Sequence, residues 1–208
     1  MAMNGLTALP STRAAASGLA PFTSSVVAVS AAQLGATWRP GCPVAPAQLR
    51  LLRLGYVDFT GRSRMGTMVV NEKVAGAVVR IFAALYADRF RIRRMVPASV
   101  FAGSDPWSMS ADNTSSFNCR HAVAAGPPQW SAHAYGEAID VNPVQNPYVF
   151  NGAAQPPAGR AYLNRRDWRP GMAVAGGALT SAFDSVGWYW GGRWSASPDY
   201  QHFSATGG

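Results

Sequence analysis

Lysine is almost missing from this chain: of its 18 basic residues, Lys73 is the only one that is not arginine. Charged residues of both signs make up only 13% of the 208 positions, and the net charge is +8 with a pI near 10.2. A basic balance suits an anionic partner, but an arginine-biased composition produces the same excess, so charge alone selects no function. No basic cluster is interleaved with aromatics in the manner of a single-strand-binding groove. The densest run is Arg89, Arg91, Arg93 and Arg94, in which Arg91-Ile92-Arg93 alternates like the solvent face of a strand. No nucleic-acid partner is expected.

Cysteine is scarce too. Cys42 and Cys119 form no C-x-x-C pair, which argues against a zinc knuckle or a thioredoxin-type site. Two distant cysteines fit a disulfide in an exported protein, or two thiols in a cytosolic one. No run approaches the ~18–20 apolar residues of a membrane span. At the N-terminus, Arg13 precedes a short apolar stretch from Leu19 to Val29. Thr23, Ser24 and Ser25 make it too polar for a good export signal.

What is present fits one domain of ordinary size, since 48% of the residues are hydrophobic. Residues 1–35, rich in Ala, Ser, Thr, Gly and Pro, read as a flexible leader or linker. Residues 36–208 form the expected folded domain. Asn71 is a good N-cap, and Val74, Val78, Ile81, Phe82 and Leu85 recur at helical spacing after it. Strands are predicted over 67–70, 91–96, 138–141, 188–190 and 199–203, a second helix over 178–186, and a long loop over 98–130. Helices and short strands without βαβ alternation predict an α+β fold with a mainly antiparallel sheet.

The chemistry concentrates in two segments. The chain has three histidines, and a lone histidine is usually structural. However, His133 lies in Ser131-Ala132-His133-Ala134-Tyr135-Gly136-Glu137-Ala138-Ile139-Asp140, and His202 in Asp199-Tyr200-Gln201-His202. Catalytic zinc sites use three His or carboxylate ligands and keep a fourth position open. His133 and Asp140 are seven positions apart, roughly 23 Å along a straight strand, so they can share a metal only if the chain folds back, most easily at Gly136. Asp199 and His202 would face opposite sides of a regular strand and need a bend to meet.

These segments match S-x-H-x-x-G-x-A-x-D and [DE]-x-x-H. With Phe117-Asn118-Cys119-Arg120, the run from Ala138 to Tyr148 and the Gly187–Gly192 stretch, they resemble the zinc D-Ala-D-Ala carboxypeptidase family. Its relatives include vancomycin-resistance peptidases and phage endolysins. The resemblance covers about residues 36–208. It implies a single domain of the hedgehog/D-Ala-D-Ala-peptidase type, with Zn2+ held by His133, Asp140 and His202 and Asp199 as catalytic base. Arg120 would stabilise the oxyanion, and Ser131 and Tyr135 would contact substrate. The implied partners are peptidoglycan stem peptides, and the implied setting is a monomer outside the cytoplasm. Trp188 and Trp190 are expected in the core, Asp105 and Asp112 in turns or caps, and His121 on the surface or beside the site. Three alternatives stay open: a wall-binding or signalling module that keeps the metal without the reaction, a cysteine peptidase built on Cys119, and a basic nucleic-acid-binding protein.

Overall fold

The computed structural model describes residues 18–123 and 127–207. Its largest sheet is an antiparallel meander of β1 (Ser24–Ala28), β2 (Leu49–Val57) and β3 (Ser63–Asn71), in that spatial order. The β2–β3 ladder runs unbroken from Leu49 opposite Asn71 to Val57 opposite Ser63. A tight turn closes it, in which Asp58 accepts from the backbone of Thr60 and Arg62. Leu52, Leu54, Met68 and Val70 point from this sheet into the core.

Two helices attach to the sheet. The short α1 (Ala31–Leu34) follows β1, and α2 (Glu72–Ala87) springs from the end of β3. As the sequence predicts, Asn71 caps α2, its side chain accepting from Lys73 N. Ala75, Val78, Ile81, Phe82 and Leu85 are buried on one face of the helix, within the same core as the sheet residues. Each large side chain buried this way contributes roughly 1.5–3 kcal/mol.

A parallel pair, β4 (Arg94–Met95) with β5 (Asn113–Thr114), flanks α3 (Asp105–Ser110). The second three-stranded sheet, again antiparallel, comprises β6 (Ala138–Asp140), β9 (Tyr189–Trp190) and β10 (His202–Ser204), with β10 central. Between β6 and β9 lie the hairpin β7 (Tyr148–Phe150) and β8 (Ala153–Gln155) and the helix α4 (Ala178–Asp184). Phe203 of β10 stacks on Phe183 of α4 with ring centroids 4.0 Å apart, and Trp188 and Trp190 are buried in the same core. The architecture is the α+β fold with antiparallel sheets that the sequence predicts.

Several boundaries differ from the sequence reading. The expected leader is partly integrated: β1 pairs along β2, Phe22 packs on the core, and Ala20 O accepts from the Tyr86 hydroxyl. Exposed Ser and Val on an edge strand carry no apolar alternation, so this strand left no pattern to read. Residues 1–17, with Arg13, lie outside the described residues. The long loop contains α3 and β5. The 91–96 strand shrinks to two residues because Ile92 and Arg93 donate instead to Val57 O and the Asn142 side chain. The last strand begins only at His202, since residues 199–202 form a turn.

Cys42 and Cys119 are joined in a disulfide across 77 positions. Closing a loop of that length removes unfolded-state entropy worth about 4 kcal/mol. The Cys42→Ser/Cys119→Ser double variant should therefore unfold at markedly lower denaturant, with a slope equal to or steeper than the parent's because its unfolded chain is no longer cross-linked. An unshifted midpoint would show that the bond adds no stability.

Candidate metal centre and its cavity

Three local devices bring the two motif segments together. The first is a single 3-10 turn over Ala132–Tyr135, started by Ser131, whose Oγ accepts from His133 N at 3.3 Å. Gly136 ends it at φ +69°, with its N–H donating to His133 O, and the chain reverses into β6. A Cβ on Gly136 would lie 2.7 Å from Asn71 N, so the turn needs glycine for both conformation and space. The second device is register. Asp140 on β6 stands directly opposite His202 on β10, so their side chains share one face. The third is the turn from Asp199 to His202, closed by His202 N donating to Asp199 O.

The result is a compact triangle. His133 Nε2 and His202 Nδ1 each lie 3.3 Å from Asp140 Oδ1, and 3.3 Å from one another. His133 and His202 are buried, and the Asp140 side chain is 16% exposed. His133 Nδ1 sits 2.8 Å from Ser116 O, a contact that requires its proton on Nδ1 and leaves the Nε2 lone pair facing the cluster. In a tetrahedral shell, ligands are separated by ~1.6 times the bond length, so 3.3 Å edges correspond to bonds of about 2.0 Å. That is the distance zinc adopts with imidazole nitrogen and carboxylate oxygen. Type, number and spacing therefore all fit a divalent metal, and among the described residues this is the one such cluster of His, Cys, Asp and Glu.

Electrostatics point the same way. Burial works to raise the Asp140 carboxyl pKa, but the charge and hydrogen bonds of His133 and then His202 outweigh it and hold Asp140 far below the usual carboxylate range. Burial opposes charge on His133 as well, yet the neighbouring Asp140 raises its pKa. Asp199 behaves oppositely. Burial first, and then the negative charge of Asp140, push its carboxyl up to about 7. Asp199 Oδ1 and His202 Nε2 are buried without a hydrogen-bond partner among the described residues.

The triangle lies in a cavity of about 840 Å³ that Asp199, Arg120 and Ser131 also line. Tyr135 does not line it: its side chain is 38% exposed, while its carbonyl accepts from Asn71 Nδ2. The 3-10 turn that aims His133 inward carries Tyr135 outward. His121 stays outside the cluster, stacked on Trp130 at 4.4 Å. Cys119 is committed to the disulfide, which removes the thiol that a cysteine peptidase would need.

Sequence reasoning gave no site role to Asp105, Tyr148 or Gly191, all of which contribute. Asp105, expected in a turn or cap, lines the cavity and pairs with Arg120. Tyr148 and Trp194 complete an aromatic wall, Trp194 lying 5.5 Å from His202 between ring centroids. Gly191 lets the Asp199–His202 turn approach: a Cβ there would lie 2.8 Å from Asp199 O and 3.3 Å from His202 Cβ. Asp112 accepts from Val144 N and takes no part in the cavity.

Residues 125–205 match the model of the D-alanyl-D-alanine carboxypeptidase family, the span that holds all three cluster residues and Asp199. No curated protein and no solved structure matches the chain.

Both glycines are testable. Gly136→Ala and Gly191→Ala should each lower stability by about 2 kcal/mol or more and weaken metal binding at least tenfold by calorimetric titration. Parent-like metal affinity in both would show that the cluster tolerates movement of its two turns.

Proposed function

We propose that this chain is a zinc peptidase that hydrolyses amide bonds involving D-amino acids in peptidoglycan stem peptides, as a D-Ala-D-Ala-type carboxypeptidase or an L-Ala-D-Glu endopeptidase. The observation that carries this reading is one cavity holding a metal-shaped triangle beside an unpartnered, proton-accepting carboxylate, within the segment that matches the peptidase family. His133, Asp140 and His202 would hold the metal. When bound, zinc supplies Lewis acidity and brings the pKa of water towards ~7.

The chain's own groups account for the remaining steps. Asp199, with a free Oδ1 and a raised pKa, takes a proton from the attacking water and returns it to the departing amine. Arg120 places positive charge in the cavity, where the developing oxyanion needs it. Ser131 Oγ accepts from His133 N, and its own O–H remains available to donate to substrate. The aromatic wall excludes water and offers apolar area to the peptide.

The disulfide suits an extracytoplasmic site of action, and the net charge of +8 suits residence on an anionic wall. No helix of the described residues is long and apolar enough to cross a membrane.

The first test is incubation of the zinc-loaded protein with defined muropeptides, with products read by mass spectrometry. Loss of a terminal residue is expected for a carboxypeptidase and internal fragments for an endopeptidase, abolished by chelator in either case. Zinc demonstrably bound with no cleavage of any muropeptide would favour a wall-binding module instead. Asp199→Ala should retain zinc while turnover falls ~10²–10⁴-fold, whereas His133→Ala should lose the metal.

Asp199 also gives a pH signature in the metal-free protein. A carboxyl at about 7 when folded, against ~3.9 when unfolded, keeps its full stabilising contribution below pH ~4 and loses it as pH rises through 7. Asp199→Asn should therefore match the parent's melting temperature near pH 4 and exceed it by several degrees at pH 8 in chelator. Identical melting curves at both pH values would contradict the shift.

A further inference from the structure

Arg120 is held at two points. Its Nε faces Asp105 Oδ2 in an ion pair, and its Nη1 donates to His121 O at 3.2 Å. Asp105 is itself fixed, because its Oδ1 accepts from Asn118 Nδ2 at 2.6 Å. Asn118 Nδ2 also donates to Gly103 O at 2.9 Å, and the backbone of Asn118 donates to His133 O at 3.1 Å. A relay thus runs from the backbone of a metal-cluster residue through Asn118 and Asp105 to the guanidinium. The carboxylate has no competing duty at the start of α3, since Ser104 Oγ accepts from Trp107 N there. Both members of the pair line the cavity, and their side chains are 30% and 26% exposed.

The geometry points to Asp105 as a positioning residue for Arg120, holding the guanidinium plane ready for the reaction. This rests on the reading of Arg120 as the group that meets the developing oxyanion. An arginine on a free stem carries considerable rotamer entropy, which must be lost whenever it docks on a transition state. A carboxylate on Nε and a carbonyl on Nη1 remove that freedom beforehand and leave the other face of the fork to the substrate. The anchor must be charged, because the contact at Nε is an ion pair and not a hydrogen bond, and a neutral amide brings no charge there.

Asp105→Asn should lower kcat on a muropeptide at least tenfold, with KM within threefold of the parent and with zinc content and melting temperature retained. In an Arg120→Met background the same change should cost less than twofold. Asp105→Glu keeps the charge and should recover part of kcat. The Arg120 Nε–H NMR resonance, assigned with Arg120→Lys, reports the contact without turnover. It should be sharp and slow to exchange in the parent and shifted and fast in Asp105→Asn. An unchanged resonance, a Glu variant no better than Asn, or equal losses in both backgrounds would overturn the proposal, the last by giving Asp105 its own contact with substrate. A parent that cleaves nothing while showing the protected resonance would count against the peptidase reading alone.

Discussion

Three electron-pair donors aimed at one buried point repel each other unless something positive lies between them, and that constraint organises this molecule. His133, Asp140 and His202 sit 3.3 Å apart with almost no solvent to separate them. A buried carboxylate in such company costs several kcal/mol if left uncompensated. The protein holds the arrangement rigidly because each donor is fixed by backbone: His133 by its turn and by Ser116 O, Asp140 and His202 by direct cross-strand pairing. The hydrophobic layer of Phe183, Phe203 and Trp190 lies under the same central strand and locks its register.

Around that point the site divides its charges. Asp140 is kept ionised by its histidine neighbours, while burial and Asp140 itself push the Asp199 carboxyl up to about 7. Two carboxyls in one cavity are thereby driven apart in proton affinity, which is how acid–base roles become distinct at one pH. Arg120 belongs to a separate arm, tied to α3 rather than to the second sheet. The cavity is thus closed by parts of both halves of the chain, and the disulfide between Cys42 and Cys119 staples the N-terminal segment to the residue next to Arg120.

The His133–Asp140–His202 cluster was legible in the sequence because a metal-type motif restricts residue type and order so narrowly. The helix after Asn71 was legible because its cap and its apolar spacing agree. The bend at Asp199 could be anticipated because a straight strand would separate it from His202. Other features left no local trace. β1 shows five exposed residues on an edge, and Asp105 finds Arg120 only through the fold, 15 positions away. Gly191 reads as a strand stop until Asp199 is seen packed against it. Tyr135 lies in the motif without lining the cavity, because motif membership says which segment enters the site, whereas the pitch of a 3-10 turn decides which side chain points there.

Asn71 joins the first sheet and its helix to the turn that carries His133. Its side chain caps the central helix and donates to Tyr135 O, and its backbone N–H donates to Gly136 O. One buried amide therefore serves α2 and the turn that aims His133 into the cluster. In a mutational survey scored by activity, Asn71 would rank with the ligands although it never touches the cavity, and scored by stability it would rank with the core. The boundary between scaffold and site runs through the middle of a single side chain.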